Sequence, residues 1–209
     1  MPSFDETVGF LDRSQPVANL AGNLPHWRQD GVTYFITFRL ADSIPQEKIA
    51  LWMQERDEWL RLHPEPHDET TAKQYHQLFT QRIHRWLDAG YGDCQLKNSG
   101  MRAIVIDALN CFAGTRYHLR EWVIMPNHVH AIVTPLAPYE LSDIYHSWKS
   151  FTSKKINALL GTEGTVWQKE SFDVIVRNVD HLERLEKYIH DNPDGLPEGI
   201  YARGCIHKQ

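Results

Sequence analysis

The chain has 209 residues, 42% hydrophobic and 23% charged, with seven Trp. That is enough for one well-buried core, too little for two large domains, and too apolar for a disordered segment. A formal net charge of -5 counts against indiscriminate binding to phosphate backbones.

In chain order, Thr33-Tyr34-Phe35-Ile36-Thr37-Phe38-Arg39-Leu40 follows Gly31 and predicts a strand, because β-branched and aromatic residues suit a pleated surface. Three helical patterns come next. Ile49, Trp52, Met53, Trp59 and Leu60 form one apolar stripe, stopped by His63-Pro64-Glu65-Pro66. Tyr75, Leu78, Phe79, Ile83, Trp86 and Leu87 form a second that ends before Gly90, and Met101 to Phe112 a third, closed by Gly114. Stripes of this kind are core contacts rather than cofactor contacts. Arg116 to Met125 and His128 to Pro135 predict an antiparallel hairpin turned by Pro126-Asn127. Leu141 to Leu160 predicts a helix ended by Gly161, with Lys149, Lys154 and Lys155 against Asp143 alone. Phe172 to Arg177 predicts a short strand, and a last helix begins near His181, with Asp180 and Glu183 as its capping pair and Pro193 as its end.

The pattern implies one α+β domain over residues 1–209, a mainly antiparallel sheet with packed helices, carrying a helical insertion at about residues 43–92. Charge is uneven along it: residues 43–70 hold three Lys+Arg against seven Asp+Glu, and residues 71–135 seven against four. Cys94, Cys111 and Cys205 are odd in number and form no C-x-x-C pair, so reduced thiols are expected. No apolar run is long enough to span a bilayer and residues 1–20 lack a signal-peptide pattern, so the expected location is the cytoplasm, without membrane attachment.

Within the hairpin, His128 and His130 are two apart, so in a strand both side chains face one side while Val129 and Ala131 face the other. Two imidazoles on one surface suit a divalent metal. With 12 His in 209 residues, chance alone supplies about 0.7 such pairs, so the spacing is equally compatible with structural histidines. In the last helix Leu182, Leu185 and Ile189 form a buried stripe, and Tyr188 and Asn192, four apart, share an adjacent face. If that face looks at the histidines, the Asn192 amide completes a metal site and the Tyr188 phenol stands ready to attack a phosphate. The alternatives are a tyrosine held by its own packing and an Asn-Pro-Asp-Gly turn.

Taken together, these residues resemble the single-tyrosine HUH nucleases and, within them, the REP-associated tyrosine transposases of the IS200-like group. The matching pieces are Tyr34-Phe35-Ile36-Thr37, Met125-Pro126-Asn127-His128-Val129-His130, Trp148-Lys149-Ser150, Val166-Trp167-Gln168, Phe172 to Arg177 and Tyr188-Ile189-His190-Asp191-Asn192-Pro193. They run in the family's order over roughly residues 30 to 195. The resemblance implies a ferredoxin-like, RRM-like sheet (the HUH endonuclease fold) and cleavage of single-stranded DNA beside hairpins such as REP palindromes. By that resemblance Tyr188 is the nucleophile and His128, His130 and Asn192 bind Mg²⁺ or Mn²⁺. Asn127 and Asp173 are then supporting residues, and Lys149, Lys154, Arg177 and Trp167 are candidate DNA contacts. Lysines on a helix face are otherwise solvated, an Asp173–Arg177 ion pair is the bland reading of that strand end, and tryptophans are otherwise core. A monomer is expected, with a homodimer as the alternative. Two rival functions use the same residues: a nucleic-acid-binding module without chemistry, and a phosphodiester hydrolase using a metal-activated water. The acidic composition, the Asp194-Gly195-Leu196-Pro197-Glu198 continuation and an end at Gln209, without an extended DNA-binding tail, depart from the basic character such an enzyme is expected to have.

Overall fold

Strands arise where β-branched and aromatic residues concentrate, and helices where apolar residues recur with helical spacing. The computed structural model describes residues 7–20, 26–64 and 68–205, and it divides the chain into two compact units, Met1–Ala41 with Gln95–Gln209, and Asp42–Cys94. Glu65 and Pro66 of the stop signal lie outside the described residues. In chain order the elements are β1 Ala18–Leu20, β2 His26–Arg28, β3 Tyr34–Arg39, α1 Gln46–Leu62, α2 Glu69–Tyr75, α3 Gln81–Asp88, α4 Ser99–Cys111, β4 Tyr117–Ile124, β5 His128–Pro135, α5 Leu141–Leu160, β6 Phe172–Ile175, α6 Val179–Asp191 and β7 Ala202–Gly204.

A five-stranded antiparallel sheet organises the first unit, in the order β6-β3-β5-β4-β7. Chain order β3-α4-β4-β5-α5-β6, with β3 and β5 as its two inner strands, is the ferredoxin-like βαββαβ arrangement, and β7 extends the β4 edge. The fold is therefore α+β, as the alternation of strand and helix patterns implied. Both faces of the inner strands are covered. Tyr34, Ile36, Phe38, Val129, Ala131 and Val133 share a core with Met101, Val105 and Leu109 of α4 and Ile144, Trp148 and Ile156 of α5. On the opposite face Phe35, Val123, Met125, Ile132 and Val176 pack with Leu182 and Ile189 of α6. Each of these two helix residues contributes about 1.5–3 kcal/mol by leaving water, enough to seat α6 on the sheet.

The hairpin turns as its composition requires. Met125 N–H donates to the His128 carbonyl at 2.8 Å, closing the connection around Pro126-Asn127, and Leu40 N–H donates to the Asn127 carbonyl at 2.9 Å, which ties the hairpin tip to the end of β3. Gly161 caps α5 in the left-handed conformation at φ 64, ψ 31, where a residue without Cβ carries no steric penalty. The expected cap of the last helix is corrected: Asn178, not Asp180, precedes the first turn, and its side chain accepts from His181 N–H at 2.9 Å. A cap two residues earlier lets Val179 and Asp180 join the helix.

In the second unit α1 covers the first predicted stripe, with Trp52 buried. The second stripe differs from expectation. A π turn, His76–Thr80, links α2 to α3, and its wider i→i+5 winding shifts the register, so Phe79, Ile83 and Leu87 are buried while Leu78 is 49% exposed. Of the 27 Asp+Glu and 22 Lys+Arg, ten and six fall within residues 42–94, so this unit carries -4 of the net -5. The sheet unit is close to neutral. Among the described residues no helix is long and apolar enough to cross a membrane.

Candidate functional site

His128 and His130 lie on β5 with 0% exposure, on the face that α6 covers. Strand alternation put them there, and the pairing of β5 with β3 decides their neighbours. Thr37 is the register partner of His130, and its hydroxyl lies 2.7 Å from His130 Nδ1. Asn127 Oδ1 lies 2.7 Å from His128 Nδ1. An amide oxygen only accepts, so His128 donates from Nδ1, and in the neutral ring Nε2 then presents a lone pair; Thr37 sets the same tautomer in a neutral His130 when its hydroxyl accepts. The two Nε2 atoms then face each other at 3.0 Å. Two donors bound at ~2.1 Å and at right angles on an octahedral ion are ~3.0 Å apart, so the pair fits a divalent cation. Among the described residues no group of three or more His, Cys, Asp or Glu is placed to hold a metal. Any ion at this pair would keep most of its positive charge, since imidazoles and amides are neutral donors.

Tyr188 reaches this pair from α6. Its hydroxyl lies 3.4 Å from His130 Nε2, with ring centroids 5.2 Å apart. Phe35 of β3 holds both rings, stacked on His130 at 5.2 Å and edge-on to Tyr188 at 5.9 Å. Asn192 is the C-cap of α6 at φ -55, ψ -38. These angles are helical despite Pro193, so the helix face that carries Tyr188 continues to Asn192 one turn on, against the usual bias of a residue before proline. Tyr188 and Asn192 are both half-buried.

The remaining predicted residues scatter. Lys149 donates from Nζ to the Gln168 and Lys169 carbonyls at 2.9 and 3.1 Å, which clips α5 to the loop before β6. Burial, with a smaller contribution from the nearby Arg39 cation, brings its pKa down to about 8. Lys154 is exposed on the same helix, and Arg177 is exposed just before α6, its backbone N–H donating to His181 Nδ1 at 3.2 Å. Trp167 is corrected. At 3% exposure, with its indole N–H donating to Thr152 Oγ1 at 2.7 Å and its ring 4.9 Å from Phe38, it has no free face on which a base could stack. Trp148 is equally internal, donating to the Tyr117 hydroxyl at 2.9 Å. Asp173 is corrected as well: its partner is Arg28, held through both carboxylate oxygens at 2.6 and 3.2 Å, not Arg177. As the register partner of Ile36, Asp173 faces α5, away from the histidines. Asn127, by contrast, sits at 1% exposure against His128.

Thr37 and Phe35 stand in the family-like piece Tyr34-Phe35-Ile36-Thr37, but the sequence assigned neither a role. Alternation puts residues 35 and 37 on one strand face, and which face meets the histidines depends on a pairing across some ninety residues.

Residues 107–192 match the family described as IS200-like transposase. No curated protein matches the chain. A solved structure of a REP-associated tyrosine transposase bound to a REP hairpin is 16% identical, with 83% of this chain and 73% of that chain covered, at a TM-score of 0.44. The segment matched to the IS200-like transposase family, residues 107–192, is the one that holds the hairpin histidines and Tyr188.

Proposed function

We propose that this protein is a metal-dependent single-stranded DNA transesterase of the REP-associated tyrosine type, which cuts beside hairpins and can rejoin the ends. The observation that carries the reading is the convergence under α6: Tyr188 Oη lies 3.4 Å from His130 Nε2, which lies 3.0 Å from His128 Nε2. A nucleophile stands against a cation-binding pair.

In this reading Tyr188 is the nucleophile, and His128, His130 and Asn192 hold Mg²⁺ or Mn²⁺. The bound ion supplies charge neutralisation of the phosphate. Asn127 and Thr37 fix the imidazole tautomers, and Phe35 holds His130 and Tyr188 in place before substrate arrives. The Tyr188 oxygen, having given up its proton, forms the bond to phosphorus as the P–O3′ bond breaks, and the departing 3′ oxygen takes up a proton. A 5′-phosphotyrosine and a free 3′-OH result, and reversal rejoins a strand without loss of the bond energy to water. Lys154 and Arg177, exposed on the sheet unit, are proposed backbone contacts. We take the protein to act as a monomer in the cytoplasm on hairpin-flanked DNA.

The test is end-labelled single-stranded hairpin DNA with Mn²⁺, wild type against Tyr188→Phe. A denaturant-resistant protein–DNA adduct in the wild type, lost in the variant, is the expected result. Cleavage that survives the substitution overturns the tyrosine mechanism in favour of metal-assisted hydrolysis. Binding without an adduct under any metal points to a module without chemistry.

A further inference from the structure

Phe35, Thr37 and Arg39 alternate along β3 on the face that looks at α6. Two of the three have the tasks described above, against His130 and Tyr188. Arg39 is the register partner of His128, so its side chain leaves the sheet beside the inner histidine. It is 5% exposed, and its Nε is buried without a hydrogen-bond partner among the described residues. Glu170 supplies a countercharge to this corner and Lys149 a second cation, while burial depresses the Arg39 pKa to about 10.

The buried Arg102 and the half-buried Arg28 of this unit are spent on the protein itself. Arg102 donates to the carbonyls of Leu96, Lys97 and Gly199, and Arg28 grips Asp173. A buried guanidinium with an unused donor is costly, and an apolar residue in its place would pack at least as well. Such a group is kept where a ligand completes it. The planar fork of an arginine matches the two non-bridging oxygens of a phosphodiester, and a cation beside His128 stands next to where the strand must lie to meet Tyr188.

We propose that Arg39 is a phosphate-binding residue of this site, taking the non-bridging oxygens of a backbone phosphate of the DNA strand presented to Tyr188. The assignment deepens the transesterase reading and rests on it. It also gives the nearly neutral sheet unit a grip that does not depend on overall charge.

The experiment compares wild type, Arg39→Gln and Arg39→Lys by thermal melting, by the salt dependence of hairpin-oligonucleotide binding in the Tyr188→Phe background, and by adduct formation with Mn²⁺. Arg39→Gln is expected to melt at or above the wild-type temperature, because a buried cation with an unpartnered Nε–H is removed. Its DNA affinity is expected to fall about tenfold, with the salt slope reduced by about 0.7–0.9, the value of one phosphate contact. Arg39→Lys, which keeps the charge but loses the fork, is expected to recover only part of the affinity. Wild-type affinity and slope in Arg39→Gln overturn the proposal, as does a large drop in melting temperature with binding intact, which marks a structural cation. The two readings separate cleanly. Equal adduct rates in wild type and Arg39→Gln remove Arg39 and leave the transesterase; no adduct in the wild type, with binding still lost in Arg39→Gln, removes the transesterase and leaves a phosphate site.

Discussion

Replacing Thr37 by valine tests whether the second hydrogen bond of His130 makes it a ligand. Thr37 Oγ1 and His130 Nδ1 are 2.7 Å apart, and both residues are essentially inaccessible, at 1% and 0% exposure. Valine keeps the branched shape on β3 and removes only the hydroxyl, so the ring stays stacked on Phe35 while Nδ1 loses its partner. An unsatisfied buried polar atom costs about 1–3 kcal/mol, and removal of an outer-shell partner typically weakens metal binding by about 10–100-fold, or about 1.4–2.8 kcal/mol. The two figures describe one effect, the freedom the ring gains to leave its tautomer and orientation. The assay is the melting temperature of the full chain against Mn²⁺ concentration, because a ligand that binds only the folded state raises it by mass action. Thr37→Val is expected to melt lower without metal, to need about 10–100-fold more Mn²⁺ for half the stabilisation, and to recover adduct formation at high Mn²⁺. An unchanged Mn²⁺ midpoint refutes the orienting role of Thr37, and a wild type whose melting ignores Mn²⁺ refutes the histidine pair as a metal site.

Lys149 predicts a pH dependence of stability. The free amine titrates near 10.5 and the buried one near 8, so between these values the unfolded chain holds more protons and stability rises as pH climbs through the window. Allowing for solvent screening, the rise is about 1–2 kcal/mol, and Lys149→Met is expected to lose it; parallel denaturant curves for the two proteins from pH 7 to 10 would exclude a strained burial. Trp167→Ala is expected to cost about 3–5 kcal/mol of stability, read from urea midpoints, because it empties core volume between Phe38 and Thr152. A variant of normal stability that binds DNA weakly would restore Trp167 as a base-stacking platform.

Much of the sheet unit was legible because its local signals agree. Alternation assigned His128 and His130 to one face, Pro126-Asn127 marked the turn between β4 and β5, and Gly161 marked the end of α5. Residues judged one at a time were read less well. Trp167 and Asp173 sit within family-like motifs, yet one is a core ring and the other belongs to an ion pair with Arg28, 145 residues away. β7 and the short β1–β2 ladder were missed because three residues carry too little periodicity to register.

By itself the sequence determined the spacing of the chemistry: two histidines one strand repeat apart, a tyrosine and an asparagine one helical turn apart, and a hairpin and helix each bounded by its own turn residues. Such relations are local, set by a period of two along a strand and 3.6 along a helix. Tertiary structure alone decided that α6 covers the histidine face and that Thr37, Phe35 and Arg39 line it from β3. Those relations join residues some sixty to ninety positions apart. Strand order and register, fixed by which apolar faces could be buried together, settled them, and no local pattern encodes that choice.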